Sequence, residues 1–482
     1  MESITQNYEK ILENLIINNF SDILKGKTLV NPGENQVFNY IRILDTLDER
    51  ICDIARKSLE TMFNSIDHGF KNSPERRHRY HIKAHCQRTI MTIFGEITYN
   101  KTIYQHKHTY KTYCYIDDYL GLKKYDYFDP YIKACVLEYA ANNPCTKVAK
   151  IINDMIGNRI KLDEPFQYIS KQTIRNIILA SILSKPEPKE LETPDDLYIM
   201  ADEKFVATQN NNKEDVMIKE IVVFDGRIIK NKRTILNNKV TFASFKNKCI
   251  DECLDYLYYT YDLDKVKNIF IMGDGASWIK KLRYDFKVNP DTNVSFNLDK
   301  FHFKQAIHHI AQDDNIEQYL TDYVIHDMKD EFSYCCDALS RQFSYRLDTI
   351  SNKKNYIINN WNYINNLYKN KLKCPMESQI SHTLADLLSS RPKAYSLKTL
   401  DKLLFIRLLF KNKHNIKSLF FNNFNKKEVL TFNQEPLNYS IFDINHSIYI
   451  DDSFIPIDYH PTHFYDSSYN LNYTSKYSDF NF

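Results

Sequence analysis

Apolar residues change their period several times along this chain, and each change marks a boundary. Between Ile41 and Met62 the apolar residues Ile41, Leu44, Leu47, Ile51, Ile54, Leu59 and Met62 keep helical spacing, which predicts an amphipathic helix. Met1 to Phe20 shows a similar pattern, with Glu2, Glu9, Lys10 and Glu13 among its apolar residues, and does not read as a secretory signal. After Asn72-Ser73-Pro74 the period shortens. Residues 87–104, centred on Thr92-Ile93-Phe94-Gly95-Glu96-Ile97, are rich in β-branched and aromatic types and predict a hairpin turning near Gly95. Residues 130–184 turn helical again, and Ser170 is the natural cap of a helix whose Ile174, Ile177 and Ile178 form a buried stripe. Lys185-Pro186-Glu187-Pro188 is a stiff linker.

Beyond the linker the order of elements becomes informative. Strands are predicted at 197–206, 217–224 and 240–245, followed by a helix over 246–261. Asn268-Ile269-Phe270-Ile271-Met272 is almost wholly apolar, as a central strand buried on both faces must be. Gly273-Asp274-Gly275 breaks it, a helix carrying Trp278, Ile279 and Leu282 follows, and 294–298 makes a fifth strand. Hairpin-linked strands thus precede a parallel crossover, in the order β-β-β-α-β-α-β. Residues 301–372 carry helical spacing and no strand signal, and another helix begins near Glu377.

The predicted organisation is α+β and multidomain. It has a helical region at 1–70, a basic hairpin region at 71–128 and a helix-turn-helix-like region at 129–188. A strand-rich core at 189–300, a helical insertion at 301–372, a core helix with Glu377 at 373–433 and a polar Tyr/Asn-rich tail at 434–482 complete it.

A length of 482 residues agrees with several domains. No stretch approaches the roughly 20 continuous apolar residues that span a bilayer, so no membrane partner and a cytoplasmic location are expected. The ten cysteines lack paired spacing and read as reduced. Cys249 with Cys253, and His78, His81, His85 with Cys86, lack the second pair of a structural zinc site, and none is assigned. With 64 Lys+Arg against 61 Asp+Glu, any nucleic-acid contact must come from local clusters. Arg76, Arg77, Arg79, Lys83 and Arg88 form one. The Ser170 helix would expose Lys171, Gln172, Thr173 and Arg175, the types that meet phosphates and base edges, although two packed helices with a polar face give the same pattern.

Three carboxylates stand out by position. Asp202 falls late on a strand that should be central, and Asp274 ends the neighbouring apolar strand where it switches to helix, a place where ligands bind. Glu377 lies just inside a helix begun by Pro375, sharing a face with Ile380, Ser381 and Leu384. A carboxylate on such a buried face costs several kcal/mol unless its charge is offset. A divalent metal held jointly with Asp202 and Asp274 would do that. Phosphodiester cleavage and transfer need an activated oxygen nucleophile and a stabilised leaving oxygen, which two ions bridged by carboxylates supply. Hard oxygen ligands select Mg²⁺ or Mn²⁺. Spacing alone proves nothing here, since only the fold can gather the three.

Local matches occur in one order. Asp202 within Tyr-Ile-Met-Ala-Asp-Glu, Asp274 within Gly-Asp-Gly-Ala-Ser-Trp-Ile, Leu298-Asp299-Lys300-Phe301-His302, and Glu377-Ser378-Gln379-Ile380-Ser381-His382 through Ser389-Ser390-Arg391-Pro392 to Tyr395-Ser396 resemble the ISLre2 family of bacterial insertion-sequence transposases, also known as UPF0236. The family usually has Trp at the position of Tyr395. The resemblance covers about residues 1 to 425. It implies a DDE transposase with an RNase H-like core and an all-helical insertion, the architecture that the strand and helix order also suggests. It also implies Asp202, Asp274 and Glu377 as the catalytic, metal-binding triad, with Asp299 and His302 lining the same site and Arg391 and Lys393 near DNA phosphates. Double-stranded DNA at element ends and target is the implied partner, with a homo-oligomer to pair the ends. A catalytically silent DNA-binding descendant and an RNase H-like nuclease without strand transfer are the alternatives. A metabolic enzyme is disfavoured, since no Gly-rich phosphate loop and no small-molecule cofactor motif occurs.

Overall fold

The computed structural model describes residues 35–157, 168–209, 215–230, 233–246, 248–389 and 394–425, with three isolated positions (17, 21 and 33). The predicted helix at 1–20, apart from Ile17, and the tail at 434–482 lie outside the described residues. The chain divides into two compact units, one of Met1–Tyr139, Cys145–Ser184 and Phe420–Phe482, the other of Ala140–Pro144 and Lys185–Leu419.

In the first unit, α1 (Gln36–Asn72) is one long helix capped by the Asn35 side chain, which accepts from Val37 N at 2.9 Å. α2 (Pro74–Arg79) leads into a hairpin of β1 (Tyr80–Thr92) and β2 (Gly95–His106), with Thr92 opposite Gly95 as predicted. Side chains one turn apart on α1 satisfy alternate N–H groups along β2: Glu60 accepts from Thr98, Asn64 from Asn100 and Asp67 from Thr102. An edge that would invite another strand is thereby covered. β3 (Thr112–Tyr113) and α3 (Tyr115–Tyr119) follow. Behind the hairpin Asp117 is fully buried between Arg88 and Lys101, each at 2.7 Å, and accepts from Tyr99 Oη. The two cations hold its carboxyl below the usual range against the opposing effect of burial.

α4 (Pro130–Ala140) precedes α5 (Cys145–Met155) and α6 (Lys171–Ala180), which pack together. Ser170 caps α6, its Oγ accepting from Thr173 N at 3.2 Å, and Ile174, Ile177 and Ile178 are buried as the stripe predicts. Residues 158–167, between α5 and α6, lie outside the described residues.

The second unit is built on a five-stranded sheet of β4 (Asp196–Val206), β5 (Val216–Phe224), β8 (Val240–Ser244), β9 (Asn268–Gly273) and β10 (Asn293–Leu298), in the order β10-β9-β4-β5-β8. β4, β9 and β10 are parallel, while β5 and β8 add antiparallel pairs. All five predicted strands therefore exist, within two residues of their expected ends. A further hairpin, β6 (Gly226–Lys230) with β7 (Arg233–Asn237), fills what reads in the sequence as a polar stretch.

Alternation along β4 divides the packing. Leu197, Ile199 and Ala201 face α7 (Cys249–Thr260), α8 (Ser277–Asp285) and the insertion, where Cys249 and Cys253 lie buried in apolar packing. The insertion contains α9 (Lys300–Ala311), α10 (Asp314–Ile325), α11 (Lys329–Gln342), α12 (Leu347–Asn359) and α13 (Trp361–Lys369), with no strand among its described residues. Met200 faces the other way with Val222 and Met272. It meets α14 (Met376–Ile380), the π-helical turns Ser381–Ser389 and α15 (Leu397–Lys411).

β4 and β9 approach closely at their ends. A Cβ on Gly273 would stand 2.8 Å from Ala201 O and 2.8 Å from Ile279 Cγ2. Gly273→Ala is expected to destabilise this unit by about 1–3 kcal/mol through overpacking. Gly226→Ala, with nothing within 4 Å, should change stability by less than about 0.5 kcal/mol. Both tryptophans, Trp278 and Trp361, lie in this unit, so urea unfolding followed by tryptophan fluorescence reads it directly.

Candidate functional site

Register brings the carboxylates to one edge. β4 and β9 pair in parallel up to Met200 opposite Met272, so two residues further Asp202, still within β4, and Asp274, one residue past β9, stand side by side. β10 ends with Leu298 opposite Gly273, and Asp299 N donates to Gly273 O at 2.7 Å, setting Asp299 beside Asp274. Asp274 and Asp299 thus stand just past the ends of β9 and β10, level with Asp202 inside the neighbouring β4. Two glycines make the middle one possible: Gly273 for the close approach already described, and Gly275 for a φ of +92°, where a Cβ would also meet Asn360 and Leu298 at 3.0 Å.

Hydrogen bonds orient each group. Asp274 Oδ1 accepts from Ala276 N at 2.8 Å, and Tyr356 of α12 donates to the Asp274 carbonyl at 2.6 Å. Asp299 caps α9, accepting from Phe301 N, and its Oδ2 takes the Nδ1–H of His302 at 3.0 Å. That bond, helped by the charges of Asp299, Asp202 and Asp274, holds His302 above its ordinary pKa. Beside Asp202, Glu203 accepts from Trp278 Nε1 at 2.5 Å, and Lys219 lies 4.9 Å over the same ring. The strand is thereby bonded to the helix that follows Gly-Asp-Gly.

Glu377 lies in the first turn of α14, but its surroundings differ from the buried face expected of it. Met376 and Ile380 are the buried residues of that turn, and Glu377, one step round from Met376, is exposed at the rim, as is Ser381. The π-helical turns that start at Ser381 shift the helical phase, so Leu384 is buried without sharing a face with Glu377. Its charge still reaches Asp202. Burial first, then repulsion by Asp274 and Glu377, pushes the Asp202 carboxyl up to about 6, with His302 opposing. As the side chains stand, no three His, Cys, Asp or Glu groups among the described residues close into a cage for one ion. The donor set is nonetheless all oxygen apart from His302, and its mutual repulsion is what a hard cation relieves.

One acidic residue at the site escaped the sequence reading. Glu220 stands directly across from Asp202 on β5 and is fully buried. Neither of its carboxyl oxygens finds a well-formed hydrogen bond among the described groups, although Thr383 is close. Burial pushes this carboxyl up to about 8, with Lys239 opposing. The available signal was a charged pair, Lys219-Glu220, inside an otherwise apolar strand.

The expected DNA-contacting residues are placed unequally. Arg77, Lys83, Lys171 and Gln172 are exposed. Arg76 donates to Lys71 O at 2.6 Å, Arg79 pairs with Glu75, and Thr173 is engaged in the Ser170 cap. Arg175 is half-buried. Arg88 does not suit the role given to it: it is 2% exposed, paired to Asp117 and donating to Lys123 O and Asp126 O. Arg391 and Lys393 lie outside the described residues.

The family profile described as "Uncharacterised protein family (UPF0236)" matches residues 35–418. The chain belongs to the UPF0236 family. Similar members come from Caldanaerobacter subterraneus subsp. tengcongensis. One UPF0236 protein is 26% identical over 402 residues, covering 81% of this chain and 81% of its own. A second is 26% identical over 404 residues, covering 81% and 82%. The matched span contains Asp202, Asp274, Asp299, His302 and Glu377, and Glu220 as well. No described helix is long and apolar enough to cross a membrane.

The buried Glu220 carboxyl makes stability depend on pH. Its folded pKa, about 8, lies above the ordinary 4.5, so its contribution is full below about pH 4.5 and is lost as pH rises through about 8. In EDTA, wild-type melting temperature should therefore fall as pH rises from about 5 to 8 and level off above that. Glu220→Gln, which cannot ionise, should fall less, opening a gap of a few degrees at the alkaline end. Parallel curves would show that Glu220 is already ionised in the folded protein.

Proposed function

We propose that this UPF0236 protein is a DDE transposase, cutting and joining DNA with an RNase H-like core. The observation that carries the reading is the edge where Asp202 of β4 lies level with Asp274 and Asp299 at the ends of the adjacent parallel strands β9 and β10, with Glu377 close enough to act on Asp202. The sheet order, with β10, β9, β4 and β8 running one way and β5 antiparallel between the last two, supports the core assignment. The names of the relatives add a different kind of support: one carries eleven locus designations within a single organism. A protein encoded many times in one genome is what a self-copying element leaves behind.

Asp202, Asp274 and Glu377, with Asp299 beside them, would hold Mg²⁺ or Mn²⁺. The bound ions supply an activated oxygen nucleophile and charge stabilisation at the leaving oxygen. The chain's own part is to fix those carboxylates through the β4–β9 register and to hold His302 beside them through its bond to Asp299. When protonated, His302 is a donor suited to a phosphate oxygen. The exposed Arg77, Lys83, Lys171 and Gln172 would contact element ends, and pairing two ends calls for at least two copies of the chain. One observation favours a second reading, a DNA-binding protein that no longer cuts: the carboxylates do not close into an ion cage as they stand.

The test is Mg²⁺-dependent cleavage and strand transfer on DNA carrying the terminal repeats that flank the gene. Asp202→Asn, Asp274→Asn and Glu377→Gln should each bind this DNA but lose at least about a hundredfold in rate, the scale of one lost transition-state contact. Mutants that cut like wild type would show the triad to be misplaced. A wild type that binds and never cuts would establish the second reading. Charge reversal at Arg77, Lys83 and Lys171 should weaken binding to the repeats at least tenfold at low salt, read by fluorescence anisotropy, and unchanged affinity would remove these regions from end recognition.

A further inference from the structure

The β6–β7 hairpin has no part in the chemistry above, and its composition is unusual. Residues 226–245 contain Arg227, Lys230, Lys232, Arg233 and Lys239 and no Asp or Glu. The two strands pair only with each other, from Gly226 opposite Asn237 to Lys230 opposite Arg233. Lys230, Lys232 and Arg233 follow one another closely in the chain at the outer end, a run of like charge that calls for an anion. Next along the same face stand Ile228 and Ile235, paired with each other and 53% and 46% exposed, while Ile229 on the opposite face is 79% exposed. Lone two-stranded hairpins are marginal in water, and exposed apolar residues beside cations mark a contact surface.

The base, in contrast, is firmly held. Asp225 accepts from Asn237 and Asn238 at 2.7 and 2.6 Å. Arg227 lies over the rings of Tyr198 and Phe224 and donates to Lys373 O. Lys239, just after β7, donates to Gln379 Oε1 at 2.8 Å. Lys373 and Gln379 flank Glu377 on either side. The hairpin is thus bonded at both ends of its base to the turn that carries the third carboxylate.

We infer that this hairpin is a DNA-gripping finger: Lys230 and the cations next to it in the chain meet backbone phosphates, Ile228 and Ile229 press against bases, and its base holds the Glu377 turn in register with the gripped strand. The assignment rests on the transposase reading. Charge complementarity selects a polyanion, and apolar side chains beside cations suit a duplex whose base steps are opened by an inserted wedge.

The test uses the full chain and a duplex carrying the flanking terminal repeats, with 2-aminopurine at the cleavage step. Lys230→Glu/Arg233→Glu should weaken binding at least tenfold near 0.1 M salt and flatten the plot of log Kd against log salt by about two units. Ile228→Ser/Ile229→Ser should keep that slope while losing the rise in 2-aminopurine fluorescence and most of the cleavage. Circular dichroism and tryptophan fluorescence confirm folding. If both variants bind, unstack and cut like wild type while Asp202→Asn does not cut, the finger is overturned and the transposase reading stands. If wild type neither binds nor cuts this DNA, both fall. Variants that instead change the mass of the free protein, or its binding to anionic phospholipid vesicles, with DNA affinity intact would assign the hairpin to self-association or to a membrane surface and overturn the proposal.

Discussion

Parallel pairing of β4 with β9 is the constraint from which the rest of the second unit follows. Met200 opposite Met272 leaves Asp202 and Asp274 adjacent, and a slip of one residue would turn one of them to the opposite face of the sheet. The pairing can be this close only because position 273 lacks a Cβ. The same alternation sends Met200, Val222 and Met272 toward α14, so the face that carries the aspartates is the face that receives the glutamate helix. Site and core are therefore one packing problem: the apolar half of each strand fixes where its acidic end emerges.

This dependence explains what could be read in advance. Strands with strict alternation or a continuous apolar run, and a helix with a cap and a stripe, announce themselves through burial, and all of them recur in the structure. Local pattern does not report partners in space. Arg88 sits in a run of basic residues that looks like a phosphate-binding face. Only the hairpin's pairing, which sets Arg88 and Lys101 on one side with Asp117 behind them, turns it into an internal counter-charge. Glu377 was expected on a buried face because a regular helix was assumed, and the π-helical turns that follow it remove the premise. The β6–β7 hairpin was missed for a related reason, since Arg, Lys and Asn at its strand positions hide an alternation that solvent exposure never required.

Glu220 shows the opposite failure, a functional-looking environment with a plain sequence signal. A carboxyl at full burial without a well-formed hydrogen bond costs free energy whichever way it ionises, yet it stands across from Asp202. Neutral, it spares the edge a further negative charge, leaving the acidic edge to Asp202, Asp274, Asp299 and Glu377. The repulsion that adds to burial in lifting Asp202 would be worse with an ionised neighbour across the strand.

A site of this kind is held away from its electrostatic optimum by the fold. The apolar packing beneath β4, β9 and β10 supplies the free energy that keeps like charges together, and that free energy is recovered when a cation or the positive end of a partner arrives. The insertion has a specific place in this balance. Tyr356 holds the Asp274 loop from α12, and Asn360, whose Oδ1 lies against Gly275, closes the other side of the turn. The helices that interrupt the core between β10 and α14 therefore brace the middle carboxylate as well as separating Asp299 from Glu377 in the chain. Loosening them would release Asp274 and uncover the β4 face together, because Leu197, Ile199 and Ala201 pack in one core with the same helices.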